Sequence, residues 1–174
     1  MHMLNYMFSL LAGATLSLAV TITVAQDKVS STSYGGSAGT DFSDMDLLTA
    51  PAKLTSITFY GARRLDSLTL VLSTGQTFKH GGDGGERSFL NIAQDDYVNS
   101  VKLCWDEFQG SDRIYYAKAT TNKGQTIEAG QQGSKCATVT ASQDGYGVIG
   151  SFGKDGDVKG KNGIHELGFI FGKM

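Results

Sequence analysis

Apolar and polar residues alternate along most of this chain, and the alternation has a period of two. It is plainest in LTSITFY, where Ile57 and Phe59 share one side, in DSLTLVLS with Leu68, Leu70 and Leu72, and in VNSVKLCW with Val101, Leu103 and Trp105. Period two puts successive side chains on opposite faces of an extended backbone, so each stretch predicts a half-buried strand. Further strands are predicted at 76–79, 87–92, 114–121, 126–129, 136–140, 146–152 and 164–171. Gly, Asn, Asp and Ser cluster between them, at 73–75, 81–85, 122–124, 130–134 and 144–145, and supply turns. No segment beyond residue 25 keeps helical periodicity for three turns. Ten or so short strands at regular spacing predict an all-β sandwich, barrel or prism. Twenty-three glycines and one proline agree with that class.

Residues 1–25 are set apart by an almost uncharged apolar run from Met7 to Ala25, ending in Thr23-Val24-Ala25. Small residues at that end suit signal-peptidase cleavage before Gln26, so a signal peptide over 1–25 and a secreted, extracellular chain are expected. A retained membrane anchor is the alternative, because the run approaches the ~20 residues that span a bilayer. Residues 26–33 (QDKVSSTS) are polar and predict a flexible lead-in. The stretch 34–174 is long enough for one domain with its own core. A formal charge of −2 and the absence of a polybasic footprint argue against nucleic acid as a partner.

Cys104 and Cys136 are the only cysteines. An isolated pair in an exported chain predicts one disulfide, with two buried thiols as the alternative. Neither has a second Cys or a His at ligand spacing, so no metal site is expected, and nothing points to a cofactor. Gly145–Gly150 spells G-x-G-x-x-G, but SFGKDGD follows it and cannot open the helix that dinucleotide binding requires. Gly81–Glu86 is close to a calcium-binding nonapeptide, yet such sites need stacked copies, and a turn explains it better. Asp41, Asp44 and Asp46 lack the glycine and terminal glutamate of an EF-hand loop and predict a solvated loop face. With two histidines beyond residue 25 and no G-x-S-x-G elbow, catalysis is not expected.

Several ordered segments resemble the jacalin-type lectin domain over about residues 34–172. Gly35-Gly36 with Gly39 and Phe42 is similar to that family's first strand and turn. LTSITFYGARRLDSLTLVLSTGQTFKHGGDGG is similar to its second and third strands with their glycine-rich exit, RIYYAKATTNKGQTIEAG to its central segment, and VIGSFGKDGD followed by IHELGFIF to its final hairpin. The resemblance implies a β-prism of three four-stranded antiparallel sheets (β-prism I) that binds carbohydrate at one end without catalysis. It implies glycans of the mannose or glucose series as partners, on polysaccharides or glycoproteins, and leaves a homo-oligomer open.

By position, the family's sugar pocket falls on Gly35 and Gly36, on a central loop over 106–112 that contains Phe108 and Gln109, and on the segment Gly156-Asp157-Val158. A pyranose packs its apolar face on an aromatic ring, for which Phe108 is the candidate; Trp105 continues the core alternation. The family's aspartate position holds His165, and Lys159–Gly163 reads as an insertion of about five residues. A neutral imidazole offers one donor and one acceptor where a carboxylate accepts from two hydroxyls with charge assistance. Three outcomes follow: Asp157, or else Asp155, supplies the carboxylate; His165 itself takes part; or the pocket is lost and the domain is a scaffold or protein-binding module, with His165 at a strand edge or the surface.

Overall fold

A computed structural model describes residues 26–49 and 51–174. The expected signal peptide lies outside the described residues. Thirteen strands run in chain order: β1 (Lys28–Ser30), β2 (Tyr34–Gly35), β3 (Thr40–Ser43), β4 (Leu54–Gly61), β5 (Leu65–Leu72), β6 (Thr77–Gly81), β7 (Glu86–Asn91), β8 (Val98–Phe108), β9 (Ser111–Thr121), β10 (Thr126–Gly130), β11 (Lys135–Thr140), β12 (Tyr146–Val158) and β13 (Lys161–Lys173). A short 3₁₀ turn, Met45–Leu47, follows β3, and no α-helix occurs among the described residues.

Three antiparallel sheets form, in the orders β6-β5-β4-β7, β10-β9-β8-β11 and β1-β13-β12-β3, with β2 also on β13. β1 faces residues 170–172 of β13 and β2 faces 166–167, so the two are one edge strand interrupted at 31–33. Each sheet is therefore a central hairpin flanked by two edge strands, the predicted prism. Inward positions of all three sheets, among them Phe59, Leu68, Leu103, Ile114, Leu167 and Phe169, are fully buried in one core. Each such side chain contributes about 1.5–3 kcal/mol by leaving water.

The lead-in is ordered where flexibility was expected. Val29 packs against the core, Lys28 and Ser30 pair with β13, and the Gln26 amide donates to the carbonyls of Ala52 and Lys173. One apolar residue beside an unpaired strand is enough to anchor three residues. Asp44 departs from the solvated face expected of it: it is buried and accepts from the Ser151 N–H (2.8 Å) and hydroxyl (3.1 Å). Its other oxygen meets His80 Nε2 at 2.8 Å, and the His80 ring stacks on Phe42. Trp105 stacks on Tyr34 and packs against the core.

The largest departure is at the final hairpin. Residues 153–163, expected as an exposed loop, continue the β12–β13 ladder out to Val158↔Lys161. The turn is Lys159-Gly160, with φ of 55° and 73°, a two-residue turn of the type I′ kind that matches strand twist. Gln109-Gly110, with φ of 54° and 83°, closes β8–β9 in the same way. The supposed insertion is thus a turn and the first rungs of β13.

Candidate functional site

The tips of the three central hairpins, β4–β5, β8–β9 and β12–β13, lie at one end of the prism, each beside a glycine-rich turn. The Gly36 N–H donates to the His165 carbonyl (2.8 Å), the Gly82 N–H to that of Asp66 (2.9 Å) and the Gln131 N–H to that of Tyr115 (3.1 Å). The preceding residue is in each case a glycine with positive φ: Gly35 (123°), Gly81 (93°) and Gly130 (85°). A β-carbon there would stand 2.1, 2.3 and 1.9 Å from the same three carbonyl oxygens. His165, Asp66 and Tyr115 therefore occupy equivalent positions in a threefold internal repeat, carried by the sequences GGSAG (35–39), GGDGG (81–85) and GQQGS (130–134).

Around His165 the space is filled. The ring is wholly buried on a central strand, not at an edge or the surface. Its Nε2 lies 3.0 Å from the Gly156 carbonyl, which can only accept, so that nitrogen carries the proton. Nδ1 has no partner. Burial pushes the imidazole below its ordinary pKa, the hydrogen bond to Gly156 opposes this, and the charges of Arg113 and Arg64 lower it further. Gly35 and Gly36 abut the backbone carbonyls of His165 and Asp112, and Gly39 abuts that of Asp155.

Asp157 does not converge on this position. Its Oδ1 accepts from the Gly160 N–H at 2.8 Å and closes the hairpin turn. Asp155 instead accepts from the Gly81 N–H at 2.7 Å and ties the second glycine turn to β12. The Val158 carbonyl accepts from Arg113 Nη2 (2.7 Å) and the Lys161 carbonyl from Nη1 (3.3 Å). Arg113 is itself buried and lies 5.1 Å from the Phe108 ring centre. Lys159 Nζ donates to the Gln109 carbonyl at 2.6 Å. These bonds lash the two I′ tips together over His165.

Asp66 is in a different setting. It lines a groove of about 720 Å³ together with Ala62, Arg63, Arg64, Phe108, Tyr115 and Lys161. Its Oδ1 accepts from Arg64 Nε at 3.0 Å, which fixes the carboxylate, and Oδ2 faces the bare α-carbon of Gly84. No protein donor occupies Oδ2 among the described residues. Of the sequence-predicted residues, then, Gly35, Gly36, Gly156 and His165 come together in a closed position. Gln109, Asp157 and Val158 belong to the hairpin tips, and Phe108 faces the open groove. Asp66 was missed, and the repeated glycine turn is the signal that finds it.

The chain belongs to the jacalin-like lectin domain family, whose family model matches residues 31–170; this is a family of non-catalytic carbohydrate binders. Among solved structures, a Malaysian banana lectin is similar at 20% identity with a TM-score of 0.66, over 84% of this chain and 98% of that one. A mannose-binding jacalin-related lectin from Ananas comosus (18%, TM-score 0.66) aligns over 86% of this chain and 99% of its own. A mannose-specific one from Morus nigra, solved with mannose (15%, TM-score 0.65), aligns over 89% and 99%. No curated protein sequence matches the chain.

His165 gives the fold a pH dependence of definite sign. Its folded pKa lies below that of the unfolded chain, so between about pH 6.5 and the lowered folded value the unfolded state binds more protons. Stability is full above about pH 6.5 and falls as pH drops through that window, by at most about 1.4 kcal/mol per pH unit for one proton. Urea denaturation of wild type and His165→Gln at pH 7.5 and 5.5 measures it. The wild type should lose more stability than the variant, and equal losses would remove His165 as the cause.

Proposed function

We infer that this is an exported lectin that binds glycans of the mannose or glucose series, with Asp66 as the carboxylate that fixes the sugar. The observation that carries the reading is the equivalence of Asp66 with His165, the family's aspartate position, combined with the groove that the largely buried Asp66 lines and an Oδ2 with no protein donor among the described residues. A carboxylate accepts from two adjacent hydroxyls, and glycines let the sugar approach the backbone. Phe108 and Tyr115 offer apolar surface to a pyranose face. The mannose ligands named for the lectins of Ananas comosus and Morus nigra support the choice of sugar. Export is supported by the apolar run over 7–25 and by a disulfide, a bond that persists in oxidising compartments.

A glycan array followed by calorimetry tests the site. Asp66→Asn should weaken the best hit at least tenfold, since a charge-assisted hydrogen bond is worth about 1.5–3 kcal/mol and tenfold is about 1.4. Asp157→Ala should leave affinity unchanged. The opposite ranking moves the site to the final hairpin, and an array without hits favours the scaffold alternative.

A further inference from the structure

The groove that holds Asp66 is cationic, although the chain as a whole carries a charge of −2. Three of its lining residues are basic, Arg63, Arg64 and Lys161, against one acid. Arg64 is committed, bonded to Asp66 through Nε and to the Asn162 carbonyl through Nη2 at 3.1 Å. Arg63 and Lys161 are exposed and have neither an ion pair nor a side-chain hydrogen bond among the described residues. They come from different sheets, and the two half-buried rings of Phe108 and Tyr115 line the same groove. Fixed like charges at one site cost energy unless a counter-charge arrives.

We propose that the groove takes an acidic glycan, a saccharide chain whose sulfate or carboxylate groups are held by Arg63 and Lys161 while its ring lies against Phe108 and Tyr115. This rests on the reading of Asp66 as the sugar-fixing carboxylate and adds the ligand's charge. Arg63 presents a planar fork that binds two oxygens of a sulfate or carboxylate at once, and Lys161 a compact point charge. Asp66 keeps a role beside them because it accepts from hydroxyls and excludes an acidic group from its own position. That places the ligand's charge toward Arg63 and Lys161 and its free hydroxyls toward Asp66. The crowding of positive charge registers on the neighbours: Arg64 lowers the pKa of buried Arg113, after burial itself, and both arginines lower that of His165.

Calorimetry with four probes tests this: a dextran oligosaccharide, the same oligosaccharide sulfated, an oligomannuronate, and inorganic polyphosphate. At low salt at least one acidic saccharide should bind about tenfold or more tighter than dextran, with the advantage shrinking as salt rises. Which one wins separates sulfate from carboxylate. In Arg63→Ala/Lys161→Ala the ratio of acidic to neutral affinity should fall to near one, and a thermal melt checks that these exposed substitutions leave the fold intact. Equal binding of acidic and neutral chains by the wild type overturns the proposal but leaves the Asp66 reading standing. An acidic preference that survives the double substitution, or polyphosphate binding as tight as the sulfated chain's and indifferent to Asp66→Asn, overturns it as well. Failure of all four probes to bind overturns the proposal, and the Asp66 reading then stands or falls on the glycan array.

Discussion

Replacing both cysteines with alanine should lower the unfolding free energy by about 3–4 kcal/mol. Cys104 and Cys136 are bonded, stand directly opposite on β8 and β11, and are separated by 32 residues in sequence. In the chain-entropy model a loop of that length removes about this much free energy from the unfolded ensemble. The bond has a local role too. Among the described residues β11 pairs only with β8, and most of its residues are exposed, so little apolar burial holds it. Denaturation by urea should give the global loss, and hydrogen exchange should show β11 opening first. A double variant within about 1 kcal/mol of wild type would show that the unfolded chain is already compact enough for the bond to matter little.

Much of the prism was legible because burial imposes its period on sequence. β4, β5 and β8 face a core on one side, and there Ile57, Leu70 and Leu103 alternate with polar residues such as Thr58, Thr69 and Lys102. Where a strand is held by backbone pairing alone, that signal vanishes. β1 has one apolar residue, Val29, and its order comes from the free edge of β13. The outer half of the final hairpin, GKDGDV and KNGI, has the composition of a loop. It is strand because its ladder resumes past a bulge between Lys154 and Asp155 and ends in Lys159-Gly160, a dipeptide that tolerates the turn.

The site was legible only in part, and for a different reason. The resemblance sets His165 at the family's aspartate position, but its burial could not be read in one dimension, since the ring meets Gly156 of the neighbouring strand and Gly39 of the first glycine turn. Asp66 was equally visible as a residue. What gives it meaning is the threefold relation between glycine turns about fifty residues apart, each too short and too varied to register as a repeat. Phe108 lines the groove of Asp66 and Lys161, away from Gly35 and Gly36.

Alanine at any of Gly35, Gly81 or Gly130 should destabilise the fold by about 3 kcal/mol or more, and by similar amounts at all three. Two effects add at these positions. Positive φ costs a residue with a β-carbon about 1–2 kcal/mol, and the new carbon would lie within 2.3 Å of a carbonyl oxygen on the neighbouring central strand. That carbonyl cannot retreat without breaking the hydrogen bond it accepts from Gly36, Gly82 or Gln131, so backbone on both sides must shift. Gly75, Gly110 and Gly124 provide the contrast: their φ values of 87°, 83° and 83° match those of Gly81 and Gly130 and carry a like conformational cost, but open space surrounds the added carbon. Alanine there should cost only about 1–2 kcal/mol. Urea midpoints for the six variants measure the difference directly. Two groups separated by about 1 kcal/mol or more would establish that the glycine turns exist for close approach to the hairpins. One indistinguishable group would mean that backbone conformation alone selects glycine, and the threefold equivalence that singles out Asp66 would lose its physical basis.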